Sequence, residues 1–143
     1  MFLKSISTKT LFRVAIPLVL LGLTACADVP TRDTPNGFAL RNSGRVDKTD
    51  IPALLECITD GFKNVPQSVW MNHFTNQERR KVGYRIEILH ALGGWSLVSA
   101  DIRDDGFAEV FESSLSLQGS VKEQGVAAFD SCLAKHLTTT PKV

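Results

Sequence analysis

The chain is poor in the residues that announce most chemistries. It has three cysteines and no C-x-x-C pair, which argues against a thiol–disulfide oxidoreductase. It contains neither G-x-S-x-G nor S-x-x-K, so no hydrolytic nucleophile sits in a recognisable turn. Gly93-Gly94 is too short to cradle a phosphate and reads as a bend between strands. Charge of one sign is also scarce, with 16 Lys and Arg against 15 Asp and Glu, and no basic cluster that would suit a nucleic-acid backbone. The apolar stretch Val14 to Leu23 is about ten residues, half of the roughly 20 that a bilayer-spanning helix needs. At 143 residues there is no room for a second large domain, and no internal repeat is visible.

The first 25 residues differ from the rest. They carry Lys4, Lys9 and Arg13 and no acid, so without them the balance becomes 13 basic against 15 acidic and the formal charge −2. A basic start, an apolar stretch and small residues before a cleavage point are the three parts of an export signal. The stretch ends in Leu23-Thr24-Ala25-Cys26, which resembles the lipobox of bacterial lipoprotein precursors, L-[AST]-[GA]-C, at all four positions. The resemblance implies a diacylglyceryl group on the Cys26 sulfur, cleavage before Cys26 and acylation of the new amino terminus. Two or more acyl chains anchor a protein stably, where one holds it only marginally. The rival is a secreted protein with Cys26 left as a spare thiol. In enteric-type sorting an Asp directly after the lipidated Cys retains a lipoprotein in the inner membrane. Ala27 stands there and Asp28 one place later, which points to the outer membrane, periplasmic side.

Residues 26–48 hold Pro30, Pro35, Gly37 and Gly44 among polar residues without a sustained period and read as a flexible tether. Such a chain has an end-to-end distance on the order of 25 Å, enough to hold a domain clear of the headgroups. The alternative is that Phe38, Ala39 and Leu40 dock as an extra edge segment. A single domain is expected over 49–140. Thr49 or Asp50 can cap a first helix with Pro52 in its first turn, and Ile51, Leu54, Leu55, Ile58 and Phe62 form one apolar stripe over about 50–64. Pro66 stops it. Residues 67–81 show no clear period. Val82, Tyr84, Ile86 and Ile88 alternate as a strand should, and Trp95–Ile102 with Phe107–Glu112 reads as a hairpin around Arg103-Asp104-Asp105-Gly106. Ser120 with Glu123 has the capping-box spacing, opening a helix to about residue 138. The fold expected is α+β: an antiparallel sheet of three to four strands, with the first and last helices packed on one face.

With Cys26 lipidated, Cys57 and Cys132 remain as a pair in an oxidising compartment. Each borders the apolar face of its helix, so a helix-to-helix disulfide is predicted. It closes a loop worth about 4.5 kcal/mol of denatured-state entropy. Cys132 and His136 have workable metal-ligand spacing, with Cys57 as a third ligand, but nothing in the sequence completes that set. No metal or other cofactor is therefore implied. His73 and His90 lie in different elements and read as isolated. Asp101, Asp104 and Asp105 could hold calcium or serve as an acid/base pair, though a hairpin turn uses Asp at the same spacing. Trp70, Met71 and Phe74 followed by Arg79, Arg80 and Lys81 combine the residue types enriched at interfaces and are the candidate partner-binding residues. The competing reading has the aromatics finishing the core and the basic run as a solvated turn.

These residues suggest a lipid-anchored, non-catalytic binding or structural module of the cell envelope. Its partners would be the membrane, through the lipid, and an envelope protein or a cell-wall component, with no nucleic acid. An inhibitor or immunity protein of the periplasm is a sharper alternative. A small cell-wall hydrolase is the enzymatic one, and it requires His73 or His90 to meet carboxylates in a cleft.

Overall fold

Alternation along the central strands decides which side of the sheet is wet. In the computed structural model, which describes residues 29–67 and 72–137, Ile86, Ile88, Val98, Ala100, Ile102, Ala108 and Val110 lose all contact with solvent. They point to one face of a five-stranded sheet, because successive side chains on a strand point to opposite sides. The strands are β1 (Phe38–Arg45), β2 (His73–Arg80), β3 (Gly83–His90), β4 (Ser96–Arg103) and β5 (Phe107–Ser113), and the helices are α1 (Ile51–Lys63) and α2 (Gly119–His136). The sheet order is β1-β5-β4-β3-β2, with every neighbouring pair antiparallel. Strands β2 to β5 form a meander. Strand β1 adds to β5, and α1 carries the chain across the sheet to the opposite edge.

Both helices cover the same face. From α1 come Leu54, Leu55, Ile58 and Phe62, the stripe read from the sequence, and α2 supplies Val121, Val126, Phe129, Cys132 and Leu133. Leu97 is the extra residue of an irregularity where Ile88 pairs with Val98 but Leu89 pairs with Ser96, and it is fully buried in the same core. Cys57 and Cys132 are joined by a disulfide with Cα atoms 5.8 Å apart, tying α1 to α2. Gly125 lets α2 lie flat on the sheet: a Cβ there would stand 2.8 Å from Cδ1 of Ile88 and 3.0 Å from Cγ2 of Val98. Gly106 closes the β4–β5 turn at φ +87° and leaves room for the Val46 carbonyl, 2.2 Å from where a Cβ would sit.

Four expectations need correction. The sheet has five strands, not three to four. One of the added strands, β1, comes from the stretch read as tether; Val46 behind it is buried in the core and bridges Leu137. The folded unit therefore begins well before residue 49. The capping box is not formed either. Gln118 precedes α2 in the left-handed region, and no side chain caps the helix. Ser120 Oγ instead accepts from Gln124 Nε2 at 2.9 Å. Nor does a side chain cap α1. The candidate lipidation residue Cys26, the leader 1–25, and Trp70 and Met71 lie outside the described residues.

Candidate functional site

The face of the sheet away from the helices carries the odd-numbered residues of β3 and β5 and, on either side of the irregularity at Leu97, Ser96, Ser99, Asp101 and Arg103 of β4, and the segment 29–37 folds across it. Turns hold this segment: Thr34 N–H donates to Thr31 O at 3.0 Å and Gly37 N–H to Thr34 O at 2.9 Å. Ser114 N–H closes it onto the end of β5 by donating to Gly37 O at 2.9 Å. Arg32 fastens it to the sheet. Its guanidinium carbon lies 3.3 Å from the Phe111 ring centroid and 5.5 Å from that of Phe38, and Nη2 donates to Asp101 Oδ2 at 2.8 Å.

Asp101 is also held by Arg85, through Nε to Oδ1 at 2.7 Å and Nη2 to Oδ2 at 3.0 Å. This is the fork geometry in which a guanidinium binds a carboxylate most strongly. Burial alone would raise the Asp101 carboxyl, but the hydrogen bonds and charges of Arg85 and Arg32 outweigh it and hold the group below the ordinary carboxylate range. The hydrogen bond from Asp101 raises the Arg85 guanidinium in turn, against its own burial. The three side chains form one ionised unit, between 12 % and 22 % exposed.

Beside this unit opens a cleft of about 360 Å³ whose walls include Val29, Arg32, Glu87, Leu89, Trp95 and Ser96. It is mixed in character, with an apolar flank from Val29, Leu89 and Trp95 against the charges of Arg32 and Glu87. Arg32 Nε and Ser96 Oγ are buried with no hydrogen-bond partner among the described residues, as is Ser99 Oγ nearby on β4. Buried polar atoms in folded proteins nearly always have partners, so such a group calls for an explanation. A second cleft, of about 320 Å³, lies on the other side of Arg85 and Asp101 toward Arg103 and Glu109.

The candidate partner-binding residues do not gather at one place. Phe74 is exposed at the start of β2, next to Leu89. Arg79, Arg80 and Lys81 stand at its far end, roughly 20 Å along the strand. Arg79 lies over the Tyr84 ring at 4.7 Å and grips Asp104 with two bonds of 2.8 and 3.0 Å. Arg80 pairs with Glu78 at 3.1 Å. Asp105 accepts from Phe107 N–H at 3.1 Å and pairs with Arg103. Asp104 and Asp105 thus shape and brace the turn, while Asp101 points into the open face.

The histidines are not isolated. His73 and His90 are directly opposite each other in the β2–β3 pair, both buried. The His90 ring stacks on Trp95, centroids 5.2 Å apart, and its Nδ1 accepts from Leu92 N–H at 3.2 Å. His73 Nε2 stands 3.4 Å from the Pro66 carbonyl, and the Gln67 side chain braces the His73 backbone through two bonds of 2.8 Å. Among the described residues no three His, Cys, Asp or Glu side chains come close enough to hold a metal ion.

Sequence reasoning missed the Arg32–Asp101–Arg85 unit. Its only signal was the polar half of the β3 alternation, Arg85 and Glu87 between Ile86 and Ile88. Arg32 is 69 positions from Asp101 in a stretch that carries no periodicity. Comparison with protein-family models, curated proteins and solved structures gives no match.

Proposed function

We propose that the protein is a lipid-anchored lipoprotein of the bacterial envelope, held at the periplasmic side of the outer membrane. In this reading it is a non-catalytic binding module that recognises an envelope protein or a cell-wall component through the open face of its sheet. The observation that carries the binding reading is the pair of buried, unpartnered polar atoms, Arg32 Nε and Ser96 Oγ, in the lining of a cleft walled by Leu89 and Trp95. A partner that brings hydrogen-bonding groups and an apolar side would satisfy both halves of that surface. The lipobox supports the address.

A photo-reactive amino acid placed at Asn76, exposed on the open face of β2, tests the surface in intact cells. Glu56, exposed on the outside of α1, is the comparison position. A discrete adduct from position 76 that is missing from position 56 is expected. Identical adducts from both positions, or none from 76, would reject the open face as the recognition surface. The Cys26→Ser variant tests the anchor: the protein should leave the membrane fraction and lose metabolic acyl labelling.

A further inference from the structure

The molecule is polarised from one end of its sheet to the other. In the sequence no Asp, Glu, Lys or Arg stands between Lys63 and Glu78, between Glu87 and Asp101, or between Glu112 and Lys122. Antiparallel pairing brings these three stretches together. His73 opens β2 opposite His90, which closes β3; Ser96 opens β4 opposite Leu89; Ser113 closes β5 opposite Phe38. The connections at this end therefore lack formal charge, with Asp33, Lys63 and Glu123 flanking it. The one lysine entering it, Lys122, is buried and donates its Nζ to the carbonyls of Ser113 and Leu115 at 3.1 and 2.6 Å. The opposite end carries Glu78 to Lys81, Arg103 to Asp105, and Arg45 to Asp50 around its turns.

Apolar side chains project from the uncharged end: Leu92 is 89 % exposed, Phe74 47 % and Leu117 40 %, with half-buried Trp95 beside them. At the charged end Val82 is 63 % exposed, but between Lys81 and Arg103.

The path of the chain says what covers this end. Val29 lines the open-face cleft together with Gly94 and Trp95, and Arg32 ties the segment to the sheet. Only Ala27 and Asp28 separate Val29 from Cys26, a reach of at most about 10 Å. A lipid on Cys26 thus leaves the domain at its uncharged end, with no slack to hold it clear of the surface. We propose that this end, led by Leu92, Leu117, Phe74 and Trp95, docks into the headgroup region of the bilayer that Cys26 anchors. Trp and apolar side chains favour that interface, and the absence of formal charge from the three strand and helix connections lowers the desolvation cost of approaching it. The charged end then faces away from the membrane, and the cleft beside Arg32 opens at the bilayer surface. The docking rests on the lipoprotein reading.

The test uses the full chain, expressed with its leader, purified and placed in vesicles of phosphatidylethanolamine and phosphatidylglycerol at 3:1. The mass of the mature amino-terminal peptide is measured first. A polarity-sensitive fluorophore is then attached to Leu92→Cys, Leu117→Cys or Val82→Cys, all solvent-exposed positions, and quenching by brominated lipid is compared. Blue-shifted emission and at least twofold stronger quenching at 92 and 117 than at 82 are expected. Equal quenching at all three positions on a lipidated protein overturns the docking and leaves the anchor standing. An unmodified Cys26 overturns the anchor, and with it the choice of the bilayer. Shielding of position 92 in native envelope membranes but not in protein-free vesicles overturns the docking too, since a protein would then be the occupant.

Discussion

Replacing Arg32 by alanine should release the amino-terminal segment from the sheet while the domain stays folded. Arg32 contributes one charge-assisted hydrogen bond to Asp101 at 2.8 Å, worth about 1.5–3 kcal/mol. Its guanidinium also stacks 3.3 Å from the Phe111 centroid, worth about 0.5–1 kcal/mol. The side chain it leaves behind is not stranded, because Asp101 keeps both bonds to Arg85. The full penalty of an uncompensated buried charge is therefore not incurred. The net loss should be about 2 kcal/mol, and at about 1.36 kcal/mol per tenfold that is roughly a 30-fold increase in local opening. Amide hydrogen exchange reads it directly. The Ser114 N–H is protected by the Gly37 carbonyl at 2.9 Å and should exchange roughly 30-fold faster, whereas amides in the centre of β3 and β4 should be unchanged. Arg32→Lys should fall between, since it keeps the charge but loses the planar stack on Phe111. Unchanged exchange at Ser114 would refute the clamp. Uniform acceleration over the whole sheet would show that segment 29–37 is part of the global cooperative unit and not a separately docked strap.

Two further outcomes follow from named contacts. Replacing both Cys57 and Cys132 by alanine removes a cross-link with a sequence separation of 75 and so about 4.5 kcal/mol in the chain-entropy model. For a domain of this size that lowers the melting temperature by roughly 20 °C; thermal unfolding showing a drop under about 5 °C would contradict the loop argument. Asp101 also makes stability depend on pH. Its folded value lies below the ordinary carboxylate range, so its contribution is complete above about pH 5 and is lost as pH falls through the lowered folded value. The urea midpoints of wild type and Asp101→Asn should differ at pH 7 and draw together as pH falls below the ordinary carboxylate range, and a constant gap would exclude Asp101 as the group responsible.

What could be read in advance follows from how strongly each element buries a periodic face. Both helices declare themselves through 3.6-residue stripes, and β3 through strict alternation. The β4–β5 hairpin is betrayed by Asp104-Asp105-Gly106, the last of which indeed takes positive φ. Strand β1 had no such signature. It is an edge strand with six of eight residues exposed, its register shifts between Leu40 and Asn42, and its main-chain bonds to β5 leave no mark in the side chains. Strand β2 is the other edge, equally polar, and was unreadable for the same reason. The open-face unit was invisible because Arg32, Arg85 and Asp101 meet only once the meander is folded and residues 29–37 lie across it.

The sequence by itself determined the two amphipathic helices, the central strands and the faces that bring Cys57 and Cys132 together, since burial of a repeated apolar pattern has few solutions. Only the tertiary structure decided the sheet's edges, the pairing of His73 with His90, and the clamp of Arg32 on Asp101. Backbone hydrogen bonds and ion pairs between distant residues obey geometry, not local periodicity, and the separation of charged from uncharged turns arises only when the antiparallel strands align their ends.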